Sequence, residues 1–226
     1  LRDSSTPATF PLPHVPGLGD HLILGNTLDD SVGEAFDKTA RLLGVEQIPG
    51  GPELERMAAQ GNPKAYRGPK GLTVPLSKKH KESSYTCDFS FAGLKTGVRL
   101  LVEEEEARIR LQYEEDELER QLRQMRCDVA ATFQAVAIEH ISRVVRRAMQ
   151  RIGESDPDVK QLVLAGGVAA NKALRCRLAA LADEHGLTMI CPPLSLCMDN
   201  GVMVAWTGLQ RLRIGCYEDP PQWSRT

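Results

Sequence analysis

The chain has 226 residues, with 28 Lys and Arg set against 30 Asp and Glu, so its formal net charge is −2. That balance excludes nucleic-acid binding through overall charge and leaves only local basic patches for such a partner. Hydrophobic content of 42% with 26% charged residues matches an ordinary water-soluble domain with room for a sizeable core. No apolar run approaches the length of a membrane span. Six cysteines are scattered without a C-x-x-C pair, which favours free thiols over a disulfide framework or a zinc site.

The opening stretch, LRDSSTPATFPLPHVPGLG, is rich in Pro, Ser, Thr and Gly, and an irregular segment is expected over 1–26. It has neither the basic start nor the apolar core of a signal peptide. Thr27-Leu28-Asp29-Asp30 fits a capping box, which predicts a helix from Thr27 to Gly44 with Val32, Phe36, Ala40 and Leu43 buried. Asp30, Gly33 and Asp37 share another face of it. There Gly33 clears room and Asp37 could accept hydrogen bonds from a ribose-type hydroxyl, whereas Asp30 and Glu34 read as a solvated acidic edge. Pro49-Gly50-Gly51-Pro52 is a turn by composition, followed by a short helix over Leu54 to Gln60. The loop from Gly61 to Glu82 carries Lys70, Lys78, Lys79, His80 and Lys81, either a solvated run or a phosphate-contact patch.

Cys87 to Phe91 alternates like a strand, Gly93 breaks it, and a helix starts near Leu94. Val102 to Arg126 is charge-dense and reads as an exposed helix or a partly disordered connection. A helix over Cys127 to Ile152 buries Val129, Phe133, Val136, Ala137, Ile141, Val144, Val145 and Ala148 on one side. Its basic end (Arg143, Arg146, Arg147, Arg151) suits the helix dipole. An apolar run, Leu162 to Leu164, then meets Gly166 and Gly167, and a helix with Leu174, Leu178, Leu181 and Ala182 on one face follows. Paired glycines at a strand-to-helix junction let backbone approach a ligand, and the helix's free amides favour anions and polar groups. Asn171, in the first turn, could read a ligand edge. A second run, Leu187 to Cys191, ends at Pro192. Met198-Asp199-Asn200-Gly201 leads into a last helix over Val202 to Arg213, with a polar tail over 214–226. The residues alone also admit plainer readings: a tight Gly-Gly turn, Asp199 or Asn200 as a helix cap, Asn171 as a solvated side chain. Neither G-x-G-x-x-G nor a P-loop is present.

Four blocks in order point further: DDSVGEAFDKTARLLG with PGGPELERMAAQGNP, CDFSFAGLKTGV, LVLAGGVAANKALR, and CPPLSLCMDNGVMVAW. Together they resemble the tRNA N6-adenosine threonylcarbamoyltransferase family, formerly O-sialoglycoprotein endopeptidase, in its bacterial and organellar branch. The resemblance implies an α/β chain of the actin-like/sugar-kinase ATPase fold, mainly its C-terminal lobe, with a mixed sheet flanked by helices. It covers 27–213, with a helical insertion at about 94–152. It further implies that threonylcarbamoyl-adenylate is bound by Asp37, Gly51, Glu55, Gly166, Gly167 and Asn171. A divalent metal of iron or zinc type would be held by Asp199 with two histidines of an N-terminal lobe that this sequence lacks, so the chain alone is expected to be impaired. Catalytic residues are not assigned. The implied partners are tRNA, a second copy, or proteins of the modification pathway. The implied location is the mitochondrion, with plastid or bacterial cytoplasm as alternatives. A non-catalytic, partner-binding module derived from the family is the competing reading. A metallopeptidase and a sugar kinase rank lower, the first for want of H-E-x-x-H.

Overall fold

A computed structural model describes residues 11–17, 20–76, 86–197 and 200–216. It opens on an antiparallel ribbon, β1 (Leu12–Gly17) with β2 (Asp20–Gly25), in which His14 stands opposite Leu22. Over these residues this corrects the irregular segment expected across 1–26, of which 1–10 lie outside the described residues. Pro13 and Pro16 argued against a strand, but a two-stranded ribbon has only edges, and edge strands accommodate proline. His14 Nε2 meets Asp156 Oδ2 at 3.1 Å and anchors the ribbon.

The first helix, α1, is Val32–Leu42, and its N-cap is Ser31 rather than Thr27. Ser31 Oγ accepts the Glu34 amide at 3.2 Å, so the S-x-x-E pattern at Ser31 was the operative cap. Thr27 instead bridges to Phe89, with the Phe89 amide donating to Asn26 O at 2.9 Å and the Leu28 amide to Phe89 O at 2.8 Å. Asp29 serves a different helix, α3 (Ala92–Gln112). Its Oδ1 accepts from the amides of Phe91 (2.7 Å) and Ala92 (3.2 Å), and its Oδ2 from Ser90 Oγ at 2.6 Å. A carboxylate at a helix start is favoured both by the free amides and by the dipole.

Next in order come α2 (Gly51–Ala58) and α4 (Glu115–Ser155), whose 41 residues form the spine of the fold. The charge-dense stretch is the end of α3 and the start of α4, broken only at Tyr113 and Glu114. Its local pairs, Arg108–Glu105 and Arg120–Glu117, both at 2.6 Å, are exposed and contribute little to stability. The core lies where the middle of α4 meets α1, α2 and α3, and Phe36 packs edge-on against Phe133 with centroids 5.1 Å apart. Cys87, Phe89 and Phe91 are fully buried, so the predicted alternation is realised as burial even though the segment forms only one bridge.

The C-terminal part is a β–α–β unit: β3 (Gln161–Val163), α5 (Lys172–Glu184) and β4 (Thr188–Ile190), with β3 and β4 parallel and Leu162 opposite Met189. Leu174, Leu178, Leu181 and Ala182 are all buried, as their spacing predicts. The mixed α/β class therefore holds, with the described strands divided between two small sheets, one antiparallel and one parallel. The last helix, α6 (Gly201–Arg213), is capped by Asn200, whose Oδ1 accepts the Met203 amide at 3.0 Å. None of its residues is buried among the described residues, and Val202 and Val204 are 70% and 71% exposed. All six cysteines are unpaired. Among the described residues no helix is long and apolar enough to cross a membrane.

Candidate functional site

The strand β3 delivers the chain into a turn that only glycine makes without strain. Gly166 sits at φ 83°, a left-handed conformation that L side chains rarely adopt. A 3-10 turn over Gly167–Ala170 follows, closed by the Ala169 amide on Gly166 O at 2.9 Å. Asn171 then caps α5 rather than lying in its first turn: Oδ1 accepts the Leu174 amide at 2.8 Å. Its Nδ2 donates to Gln134 Oε1 on α4, also at 2.8 Å, so both ends of the amide are engaged.

Other elements converge on this turn. Glu55, on α2, accepts the Lys172 amide through Oε1 at 2.8 Å. The first amides of α5 are therefore held by a carboxylate and a carboxamide, the arrangement a bound anion or hydroxyl would otherwise complete. Asp37, on α1, accepts the Gly50 amide through Oδ1 at 2.7 Å, fixing the turn that begins α2 at Gly51. Its other oxygen has no partner among the described residues, and Asp37, Arg41, Gln47 and Gly50 line a cavity of about 420 Å³. Gly50 is a close-approach position, since a Cβ there would meet the Ala40 Cβ at 2.6 Å. α1 reaches the glycine turn itself: a Cβ on Gly33 would touch Val168 Cγ2 at 4.0 Å. The structure thus brings Glu55 to the residue after Asn171, beside the Gly166–Gly167 turn, while Asp37 bonds the residue before Gly51 and lines a cavity that none of the other five borders.

Asp30 and Glu34, read as a solvated edge, are ion-paired. Lys38 reaches Asp30 at 2.9 Å and Glu34 at 2.6 Å, and Lys95 reaches Asp30 at 2.8 Å, tying α1 to α3. The Lys95 hydrogen bond, with Lys38 adding to it, holds the Asp30 carboxyl below its ordinary range. Gln134 had no sequence signal: it sits on α4 between the buried Phe133 and Val136, with nothing to mark it as a partner of Asn171.

Asp199 lies outside the described residues, as do Lys78, Lys79, His80 and Lys81 of the basic loop. Among the described residues no group of three or more His, Cys, Asp or Glu gathers as a metal set. The described residues do not by themselves fit the implied metal.

The sequence profile described as tRNA N6-adenosine threonylcarbamoyltransferase matches residues 14–206, most of the chain and all of the elements above from β2 through α5. The chain belongs to the tRNA N6-adenosine threonylcarbamoyltransferase family. Membership carries the actin-like ATPase fold, of which the β–α–β unit and its helices are part. A relative in Arabidopsis thaliana, named as a probable mitochondrial tRNA N6-adenosine threonylcarbamoyltransferase, is 44% identical over 205 residues, covering 90% of this chain and 40% of the relative. The enzyme of that name from Methylorubrum populi is 43% identical over 205 residues, covering 91% and 52%. That from Brucella anthropi is 44% identical over 199 residues, covering 87% and 49%. The chain thus spans about half the length of the threonylcarbamoyltransferases it matches.

Proposed function

We propose that this chain contributes the adenylate-binding face of a tRNA N6-adenosine threonylcarbamoyltransferase. Two observations support the proposal in a member of that family: Glu55 and Asn171 hold the first amides of α5 beside the Gly166–Gly167 turn, and Asp37 holds the Gly50 amide where α2 begins. The adenosine of threonylcarbamoyl-adenylate would lie against Gly166 and Gly167, where missing side chains admit close backbone approach. The free oxygen of Asp37 would accept a ribose hydroxyl. Glu55 and Asn171 hold the α5 amides in place and would exchange those bonds for the ligand. The exocyclic amine of the tRNA adenosine attacks the carbamoyl carbon, a C–N bond forms, the bond to the phosphate oxygen breaks, AMP leaves, and the amine loses a proton.

A divalent metal, with Asp199 as this chain's ligand to it, belongs to the proposal, as does a mitochondrial location, for which the Arabidopsis relative's name is the support. So does impaired turnover by the bare chain. The test is threonylcarbamoyl transfer to tRNA by the bare chain, with and without an added N-terminal lobe from a full-length relative. Transfer restored by the lobe supports the reading, and no transfer in either condition sinks it. The occupied amides of Asn171 and the α5 start favour one competitor, a non-catalytic module. Copurification with a full-length relative without adenylate binding would decide for it.

A further inference from the structure

We propose that the groove between α4 and α5 is a second binding site, one that takes the phosphate backbone of an RNA strand. The groove has a volume of about 680 Å³, within the span of about 300–1,000 Å³ that accommodates nucleotide-sized ligands. It begins where the candidate adenylate site ends: Gln134, which holds the Asn171 amide, forms part of its wall, and Ala173, two residues on, another part. Ala131 and Ala135 give it a smooth apolar floor.

The charges on its rim are unbalanced in a specific way. Arg146 and Arg177 share one carboxylate, Glu184, at 3.4 and 3.5 Å. Arg143 and Arg67 share another, Glu139. Four guanidiniums facing two carboxylates leave two positive charges, in a chain whose formal net charge is −2. A guanidinium carries five N–H donors, so one long contact to a shared carboxylate leaves most of them available. Their planar fork suits phosphate oxygens, and their faces can stack on unpaired bases. The choice of RNA rests on the transferase reading; the charge imbalance does not.

The test is fluorescence anisotropy of a labelled single-stranded RNA with the full 226-residue chain, repeated over a salt series. Two phosphate contacts contribute about −1.4 to the slope of log affinity against log salt. The double variant R146Q/R177Q should lower affinity and flatten the slope by about that amount. R110Q/R120Q removes the same charge elsewhere and should leave the slope unchanged. E184Q, which frees both guanidiniums without removing either, should tighten binding, and it decides the matter if the double variant does not fold. Equal slopes for the two double variants, no tightening by E184Q, or better competition by polyglutamate than by RNA would each overturn the proposal. AMP titration of the same proteins separates the two sites. Loss of the arginine effect with AMP binding intact sinks the groove alone, and the reverse sinks only the adenylate reading.

Discussion

His140 offers a prediction in which the structure sets both sign and size. The ring is 2% exposed on α4, edge-on to Phe91 and Phe89 with centroids at 5.4 and 6.1 Å. Its Nε2 accepts the Ser90 amide at 3.2 Å, so that nitrogen carries no proton and the ring is neutral. Burial, then Arg147 and Arg143, push its pKa from 6.5 down to about 4, with Asp29 opposing. Above pH 6.5 the ring is neutral in both folded and unfolded chains, and the contribution to stability is complete. As pH falls from there to about 4 the unfolded chain takes up a proton that the folded chain refuses, and stability is lost. The whole interval is worth about 3 kcal/mol, a large share of the roughly 5–15 kcal/mol that holds a typical domain together. Urea denaturation at about pH 7 and about pH 5 should show the native chain losing about 2 kcal/mol more than His140→Gln. The glutamine oxygen can still accept the Ser90 amide, and every other titrating group cancels between the two. Parallel losses would refute the reasoning and mean that the ring is hydrated or protonated in the fold.

Other consequences follow from the site and its scaffold. Asn171→Ala removes the α5 cap and the Gln134 bond and should cost about 1–2 kcal/mol in chemical denaturation. Gly50→Ala should cost about 1–3 kcal/mol because its Cβ collides with Ala40, while Gly51→Ala, which meets nothing within 4 Å, should leave the melting temperature unchanged. Leu209→Ser on α6 should change stability by less than about 0.5 kcal/mol, since α6 buries nothing, whereas Leu178→Ala on α5 should cost about 2–5 kcal/mol.

What could be seen in the residues was what depends on neighbours in sequence. The stripes of α1, α4 and α5 are periodic because one face of each meets the core, and every apolar residue named for those stripes is buried. The α5 stripe also located the glycine turn. What could not be seen depends on partners far along the chain. Thr27 looks like a cap, but an edge at Phe89 competes for that backbone and wins, leaving Ser31 to start α1. Asp29 acts 62 residues away on the Phe91 amide, and Glu55 acts 117 residues away on Lys172. The boundary between α3 and α4 has no glycine or proline to mark it. The apolar pattern of α6 predicts a helix correctly but says nothing of what covers it.

The adenylate site is most directly tested by titrating the chain with AMP while following backbone amides by NMR. Shifts are expected at Gly50, Gly166, Gly167 and Lys172, with affinity weakened roughly tenfold, about 1.4 kcal/mol, by Asp37→Asn. Saturating AMP that leaves those four amides unmoved would contradict it.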